Sequence, residues 1–383
     1  MNKKDYLTNK HFCPIPWTGF QYNGNGDVLN CIRSQKAIGN LKRDSIHDII
    51  KNNQKIRQDM LDGNPGYGCD GCYNLEQGKN RFDIASDRIF YLKELKDVPL
   101  TTYEDSNNFE LHQIDLRWSN VCNQACVYCG PQYSSKWQAE KKFNYYIEPS
   151  NERITELKEF VFSKIDQLKH VYLAGGEPLL MKENEQLLKL LLEHNPDVNI
   201  RVNTNLSKTG TPVFDLICQF KNVHWTVSVD EIEDEFEYVR YGGSWQDFLA
   251  NLNIINKLDH KISFNMLWFP LNFKSIFATV DYFKQLGYHN NSFVINTIKT
   301  PRPWDIRHLP SWVLKELDQE LQKRIDEQPG YLLEDSYRNM LSNIQQPFDR
   351  KPEILLNALK ELDQRRGLDS CKLFPELYKC LQD

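Results

Sequence analysis

The sequence predicts an α/β fold in which six parallel strands form an open sheet or a partial (β/α)6 barrel. From about residue 112, short apolar runs typical of buried strands alternate with longer amphipathic segments typical of helices. After Pro310 the pattern is helical only, which predicts a helical C-terminal extension. Strands that alternate with helices favour parallel pairing, and catalytic groups then lie at the C-terminal ends of the strands.

Each element is assigned from its own apolar pattern. Strands are predicted at residues 114–118, 170–174, 198–203, 224–229, 262–268 and 293–298. Helices between them are predicted at residues 154–168, 185–193, 248–258 and 276–286. The C-terminal helices are predicted at about residues 311–327, 334–345 and 352–366.

The first hundred residues are loop-rich and contain one hairpin signal. Residues 23–27 read Asn-Gly-Asn-Gly-Asp, a turn composition that predicts a short two-stranded ribbon. Ser45 is the predicted N-cap of one helix, which ends before Gly63. We interpret the polar residues 103–108 as a linker. Domains are therefore predicted at residues 1–102, 111–309 and 310–383.

Composition excludes several classes of protein. The 383 residues carry 47 Lys and Arg against 52 Asp and Glu, a net charge of -5. This balance argues against a protein whose main task is to grip nucleic acid. No run approaches the roughly 18 apolar residues of a membrane span, and no signal peptide is evident, so we expect a cytoplasmic protein without a membrane partner.

The ten cysteines are the unusual feature of this composition. A reducing cytosol disfavours disulfides, so clustered cysteines indicate ligands of a metal or a metal cluster. Four of them lie within the first hundred residues and three lie close together after the first predicted barrel strand. The remaining three, Cys218, Cys371 and Cys380, are interpreted as structural or spare thiols.

The three-cysteine group has the spacing Cys122-x3-Cys126-x2-Cys129. Three thiolates on one loop can bind three irons of a [4Fe-4S] cube and leave the fourth iron open to a substrate or cofactor. Zinc or free thiols remain the alternatives, although zinc prefers four ligands. With Tyr128 before the last cysteine, this loop resembles the signature of the radical S-adenosylmethionine (SAM) superfamily.

The resemblance implies the chemistry. The open iron binds SAM, an electron from the cluster cleaves it to a 5′-deoxyadenosyl radical, and that radical abstracts hydrogen from a substrate. It also implies a radical SAM barrel and, in this sequence, a set of SAM contacts beyond the cluster. These are Tyr128, the Gly175-Gly176-Glu177-Pro178 segment, Asn205, Ser228 and Arg240. Glycines admit backbone close to the ligand, and Arg is suited to its carboxylate. The structural alternatives are a turn for the Gly-Gly-Glu segment, a helix cap for Ser228 and a surface ion pair for Arg240.

The four-cysteine group consists of Cys13, Cys31, Cys69 and Cys72. Four thiolates can saturate either a [4Fe-4S] cube or a tetrahedral zinc, and composition does not choose between them. The spacing Cys13-x12-Gly26-x4-Cys31 resembles the opening of the SPASM/twitch domain, which implies one auxiliary [4Fe-4S] cluster and a twitch-like domain at residues 1–102. That domain normally follows the barrel, whereas here it precedes it.

The resemblance as a whole implies an enzyme, a radical SAM oxidoreductase or modifying enzyme. Its expected cofactors are SAM and two [4Fe-4S] clusters, and its expected electron donor is a reductant such as flavodoxin or ferredoxin. The expected substrate is a peptide or protein side chain. The alternatives are oxidation or rearrangement of a small molecule such as an amino sugar, and a non-enzymatic, zinc-stabilised binding protein.

Overall fold

The computed structural model describes residues 9–34, 36–76, 86–95, 97–142, 148–327 and 330–382. Its strands are β1 (Gly19–Asn23), β2 (Asp27–Leu29), β3 (Gly39–Asn40), β4 (Gln113–Arg117), β5 (His170–Leu173), β6 (Asn199–Thr204), β7 (Val223–Ser228), β8 (Lys261–Trp268) and β9 (Phe293–Thr297). The fold is therefore of the mixed α/β class, as the sequence predicts.

The helices alternate with these strands through the middle of the chain. They are α1 (Ile15–Thr18), α2 (Ile46–Asn52), α3 (Gln54–Leu61), α4 (Asp70–Glu76), α5 (Asp87–Glu94), α6 (Ser135–Lys141), α7 (Asn151–Phe162), α8 (Lys182–His194), α9 (Pro212–Ile217), α10 (Glu233–Val239), α11 (Trp245–Ile255), α12 (Ser275–Gln285), α13 (Ser311–Glu327), α14 (Leu332–Ile344), α15 (Pro352–Arg366), α16 (Ser370–Leu373) and α17 (Pro375–Gln382).

The six barrel strands predicted from apolar periodicity correspond to β4 through β9, and every boundary agrees within one residue. The agreement has a physical cause, because these strands are buried on at least one face and their Val, Ile, Leu and Phe content separates them from the amphipathic helices. Beyond Pro310, the described residues contain helices and no strand, also as predicted.

The chain divides into two compact units. The first unit comprises Met1–Asn120, Asn144–Val202 and Pro212–Val223. The second unit comprises Val121–Phe143, Asn203–Thr211 and His224–Asp383. The domain boundaries given above stay a prediction, because the units follow the packing of the chain and each combines segments that are distant in sequence.

In the first unit, the predicted hairpin is present and is joined to the strands that follow the linker. β1 pairs with β2 in antiparallel fashion and with β4 in parallel. The parallel register runs from Gly19 opposite Gln113 to Asn23 opposite Arg117. β5 and then β6 continue the parallel pairing beyond β4. The cysteine-rich N-terminal segment therefore extends the sheet that contains the first barrel strand.

The helix predicted from Ser45 is two helices, which corrects the sequence analysis. Ser45 is the N-cap, as expected, and its hydroxyl accepts the N–H of Asp48 at 3.0 Å. The helical run breaks at Asn53, the residue between α2 and α3. The buried Asn53 side chain donates to the Oδ1 of Asn30 at 2.7 Å. Asn is a weak helix former because its side-chain amide competes for hydrogen bonds outside the helix. The helix breaks at the residue whose side chain makes this core contact.

The polar segment interpreted as a linker is packed against the N-terminal helices of the first unit. The buried Arg57 donates from Nε to the carbonyl of Ser106, from Nη1 to that of Pro16 and from Nη2 to that of Ile50. Burial lowers the pKa of Arg57 to about 10. One guanidinium thus donates to three carbonyl groups from separate segments, one from each of its three nitrogens.

In the second unit, β7, β8 and β9 pair in parallel. His224 through Ser228 lie opposite Lys261 through Asn265. The hydroxyl of Ser336 on α14 accepts the N–H of Ile295 at 3.0 Å, so the C-terminal extension contacts β9 directly. Of the helices in the part of the chain that the structure describes, none is long and apolar enough to cross a membrane.

The pairing of β1 with β4 depends on the absence of a side chain at Gly19. A Cβ atom there would overlap the carbonyl oxygen of Gln113 on β4. We therefore expect Gly19→Ala to lower the free energy of unfolding by at least about 1–3 kcal/mol, the usual cost of overpacking. Gly210→Ala is the matched control, since its Cβ would meet nothing within 4 Å. Urea unfolding compares the two variants, and equal midpoints would contradict this account of the β1–β4 pair.

Candidate metal centres

The loop that carries the three-cysteine motif, residues 122–129, lies in the second unit and is called the cluster loop here. Its backbone pairs with residues 238–241, which are the last two residues of α10 and the two that follow it and are called the bridging segment. The N–H of Ala125 donates to the carbonyl of Tyr241 at 2.9 Å, and the N–H of Val127 donates to that of Val239 at 2.9 Å. Two backbone hydrogen bonds therefore hold the loop in place, one on either side of Cys126.

Side chains from the next helix satisfy the carbonyl groups of the cluster loop. The indole Nε1 of Trp137 on α6 donates to the carbonyl of Cys126 at 2.7 Å. The Ser134 hydroxyl, which caps α6, donates to the carbonyl of Gln124 at 2.6 Å. The hydroxyl of Ser135 accepts the N–H of Cys122 at 3.1 Å. The loop conformation is thus set by partners outside the motif, as the absence of regular structure within it requires.

The three thiols are close enough to influence one another electrostatically. Burial raises the pKa of Cys129, and the charges of Cys126 and Cys122 raise it further. Burial also raises the pKa of Cys126, and the positive charges of Arg240 and Arg366 oppose that rise. Half-buried thiols gathered on one loop, with cations nearby, suit a group that binds thiolates and carries net negative charge. These residues therefore fit an iron–sulfur cluster.

Tyr128 and Arg240 meet at Asp230, a residue that the sequence analysis did not assign to the site. The Tyr128 hydroxyl donates to Oδ2 of Asp230 at 2.6 Å, and Nη2 of Arg240 lies 2.8 Å from the same oxygen. The N–H of Leu267 on β8 donates to Oδ1 at 2.7 Å. Burial alone would lower the pKa of Arg240, but the Asp230 carboxylate raises it above its usual value.

Two further predicted SAM contacts belong to the second unit. The Nδ2 of Asn205 donates to Oδ1 of Asn123 at 3.2 Å and lies 3.8 Å from the sulfur of Cys122. Asn205 is thereby brought to the cluster loop. Ser228 is the last residue of β7 and lies opposite Asn265 in the parallel register. No contact between Ser228 and the cluster loop is seen among the residues that the structure describes.

The Gly175-Gly176-Glu177 segment follows β5 in the first unit. Gly175 has a φ of +118°, and a Cβ there would lie 3.2 Å from the carbonyl oxygen of Ser119. A glycine is therefore required by the backbone as well as by space. The buried Glu177 accepts the N–H of Leu179 on its Oε1 at 3.1 Å and so begins a short 3-10 turn. The turn that sequence reasoning held as the structural alternative for this segment is thus present, with Glu177 as its N-cap.

The four cysteines of the N-terminal segment gather in the first unit. Burial raises the pKa of Cys13 well above its usual value, and the charges of Cys31, Cys69 and Cys72 raise it further. Burial, with the charge of Cys72, raises the pKa of Cys69 to about 12. Thiols that are separated by up to 59 positions in sequence therefore influence one another, with Cys13 and Cys72 buried and Cys31 and Cys69 half-buried. Their donor chemistry fits an iron–sulfur cluster or zinc.

The surroundings of this second site include compensating groups. The charge of Arg33 and a backbone hydrogen bond from Arg88 partly offset the rise that burial causes in the pKa of Cys72. Within the described ranges, no three His, Cys, Asp or Glu side chains group tightly enough to hold one metal ion. In a cube each thiolate binds its own iron, so such tight grouping is not required.

The residues that sequence reasoning missed are those that hold the cluster loop from outside the motif. Asp230 stands two residues after Ser228 and carried only a weak signal. Arg366 belongs to the C-terminal extension, yet its Nη2 donates to the carbonyl of Ala125 at 2.9 Å. No local pattern connects positions that are 241 residues apart.

The Asp230 network predicts a large stability effect. In Asp230→Asn, Arg240 keeps its charge in a buried site but loses its counter-charge, and breaking such a pair costs about 3–5 kcal/mol. We expect a corresponding loss in the free energy of unfolding of the metal-free chain, measured by urea titration. Asp259→Asn changes the same functional group at an exposed position and serves as the control. A loss in Asp230→Asn no larger than the control's would show that the pair is not an important contact.

Comparisons with known proteins agree with this geometry. The model of the radical SAM superfamily matches residues 116–283, which include the cluster loop. The SPASM model, described as an iron–sulfur cluster-binding domain, matches residues 13–73, which include the four N-terminal cysteines. A radical SAM domain implies SAM and a [4Fe-4S] cluster, and a SPASM domain implies an auxiliary iron–sulfur cluster.

Similar curated proteins include two GTP 3′,8-cyclases. The one from Sulfurimonas denitrificans is 27% identical over 192 residues, 48% of this chain and 55% of its own length. The one from Nautilia profundicola is 32% identical over 97 residues, 25% of this chain and 28% of its own length. The matched part of the chain thus spans about half, or less, of the length of these relatives.

Among solved structures, Streptococcus suis SuiB bound to S-adenosylmethionine aligns with a TM-score of 0.42 and 13% identity over 73% of this chain and 60% of that chain, a similarity too low to support inference. The matches of the two family models have the order that the cysteine motifs predict, with the auxiliary domain first. The chain therefore carries a radical SAM domain at residues 116–283, and an iron–sulfur cluster-binding SPASM domain at residues 13–73 precedes it.

Proposed function

We propose that this enzyme cleaves SAM reductively at the cluster loop and abstracts hydrogen from a peptide or protein side chain. The observation that carries the proposal is the construction of the cluster loop. Its three cysteines lie on a backbone that hydrogen bonds to Tyr241 and Val239 hold in place. The positive charges of Arg240 and Arg366 act on Cys126. When bound, the reduced cluster and SAM supply the one-electron chemistry that breaks an inert C–H bond.

The other site residues bind and orient the cofactor in this proposal. Arg240, held by Asp230 through Nη2, has a buried Nε without a hydrogen-bond partner among the described residues. A buried donor of this kind suits the carboxylate of SAM. In this proposal the carboxylate of Glu177 binds the amine of SAM. Gly175 and Gly176 allow the backbone to approach the cofactor closely. Asn205 orients the loop from the side of Cys122.

The four N-terminal cysteines take a different role. Because four thiolates saturate a cube, the auxiliary cluster has no open iron in this assignment and serves to accept an electron from the substrate or to position it. Arg33 and the backbone of Arg88 stabilise negative charge at Cys72. A reductant such as flavodoxin or ferredoxin is the proposed electron source, and the cytoplasm is the proposed location.

A nucleotide is the second candidate substrate, because the curated relatives are GTP 3′,8-cyclases. One face of the first unit's strands is polar and carries cationic groups. Arg117 on β4 contacts Asp115 through two hydrogen bonds of 3.0 and 2.9 Å, and the exposed Arg201 on β6 lies over the Tyr172 ring at 5.6 Å. Such groups suit anionic or polar substrates of either class.

The two substrate classes are separated by the stimulation of SAM cleavage. With GTP as the probe, we expect 5′-deoxyadenosine to form no faster than without any substrate, whereas a mixture of synthetic peptides with varied side chains should increase its formation. The measurement is chromatographic quantification of 5′-deoxyadenosine under anaerobic conditions. A GTP-dependent increase would favour the nucleotide and contradict the peptide assignment.

The two metal centres predict a matched pair of variants. Each cube holds four irons, so the wild-type chain should bind about eight. We expect about four in the Cys122/Cys126/Cys129→Ala variant, with no 5′-deoxyadenosine formed, because the ligands of the SAM-binding iron are gone. The Cys13/Cys31/Cys69/Cys72→Ala variant should also bind about four irons.

Iron, sulfide and zinc analysis with electron paramagnetic resonance (EPR) checks these expectations after anaerobic purification. The auxiliary-site variant should still cleave SAM, since it keeps the cluster loop. Cleavage that persists without Cys122, Cys126 and Cys129 contradicts the radical mechanism. Zinc at the N-terminal site of the wild-type chain contradicts an electron-transferring auxiliary cluster.

A further inference from the structure

We propose that Arg366, at the end of α15, is a positioning residue of the cluster loop and a hydrogen-bond donor that raises the reduction potential of the cluster bound there. Arg366 lies outside both regions that the family models match. The proposal rests on the proposed function to the extent that it requires a cluster at Cys122, Cys126 and Cys129.

The first argument is the contact between Arg366 and the loop backbone. Its Nη2 donates to the carbonyl of Ala125 at 2.9 Å. Glu140 holds the guanidinium in place, since its oxygens accept from Nε at 3.2 Å and from Nη2 at 3.1 Å. The Arg366 side chain is only 1% exposed. A charged group so deeply buried needs several partners, and one of the partners here is the peptide next to Cys126.

The second argument is that Arg366 also packs against the groups that hold the loop. Its guanidinium lies 4.4 Å from the ring centre of Tyr241 and 4.8 Å from that of Trp137. Tyr241 accepts the N–H of Ala125, and Trp137 donates to the carbonyl of Cys126. The guanidinium thus lies close to the rings of two residues that hold the cluster loop, Tyr241 through its backbone carbonyl and Trp137 through its indole N–H.

The third argument is the anchoring of α15 to the bridging segment. The Tyr238 hydroxyl donates to Oδ1 of Asp363 at 2.8 Å, and Oδ2 of Asp363 accepts the Ser370 hydroxyl at 2.6 Å. Gly367, with a φ of +65°, ends the helix directly after Arg366. The end of α15 is therefore fixed, and Arg366 has a defined position relative to the loop.

The fourth argument is an unused donor. The buried Nη1 of Arg366 has no hydrogen-bond partner among the described residues. Buried polar groups are nearly always satisfied, so an orphaned N–H on a cation beside Cys126 indicates an acceptor that is present in the loaded enzyme. The thiolates and sulfides of a cluster are such acceptors. Reduction adds negative charge, so a donor and a cation at this position stabilise the reduced form and raise the potential.

The test compares Arg366→Gln with Arg365→Gln. Arg365 is the neighbouring residue, carries the same charge and also binds Glu140, at 3.3 Å, but among the described residues it makes no hydrogen bond to the loop backbone. In Arg366→Gln we expect the oxidised-to-reduced ratio of the SAM-responsive cluster to rise about tenfold at fixed potential, a shift of 59 mV to lower potential for one electron. Arg365→Gln should stay within error of wild type. EPR-monitored redox titration measures both, and the auxiliary cluster serves as an internal reference.

A second readout needs no metal. In the metal-free chain, we expect amide hydrogen exchange of a peptide that covers residues 122–129 to be about tenfold faster in Arg366→Gln than in Arg365→Gln, because a charge-assisted hydrogen bond is lost. Arg366→Lys keeps the charge but not the planar fork, so it should restore part of the potential and little of the protection.

The outcomes separate this proposal from the proposed function. If the wild-type chain shows no SAM-responsive cluster, the proposed function fails, and the exchange experiment alone then decides whether Arg366 positions the loop. If the wild-type cluster responds to SAM but Arg366→Gln keeps its potential, the donor role is wrong. Equal shifts in the Arg365 and Arg366 variants would also overturn it, because the effect would then be charge alone.

Discussion

The structure around the three-cysteine motif depends on one constraint, which is that an irregular eight-residue loop must hold three thiols in a fixed arrangement. The loop has one internal backbone hydrogen bond, from the N–H of Cys129 to the carbonyl of Cys126 at 2.9 Å, and its other peptide groups must be satisfied from elsewhere. Here the bridging segment accepts the N–H groups of Ala125 and Val127, and Trp137 donates to the carbonyl of Cys126. The second unit can be understood as the scaffold that supplies these partners.

The second unit also provides the charged groups around the cluster loop. Asp230 receives Tyr128 and Arg240 together, so the aromatic position of the motif and a cation that influences Cys126 share one carboxylate. A buried ion pair adds little net stability, because desolvation offsets its attraction, but it fixes geometry. The bridging segment therefore has two functions, since it pairs with the loop through its backbone and contributes Arg240 through its side chain.

The N-terminal cysteine segment follows a different logic in the first unit. Its β1 strand pairs in parallel with β4, so the auxiliary segment is built into the sheet and is not a separate appendage. Gly19 permits this close pairing, and Arg57 joins α3 to the polar segment that precedes β4. An auxiliary domain that comes first in the chain thus has a direct structural connection to the strand that leads into the cluster loop.

The sequence by itself determined the elements whose signals are local. Cysteine spacing indicated the two domains that the family models match, and apolar periodicity located β4 through β9, because clustered cysteines and buried strands each leave a short-range pattern. It did not reveal the break at Asn53, the role of Asp230 or the role of Arg366. These depend on partners that are 23, 102 and 241 positions away. Only the tertiary structure decides such contacts, because a side chain's partner across the fold leaves no period in the sequence.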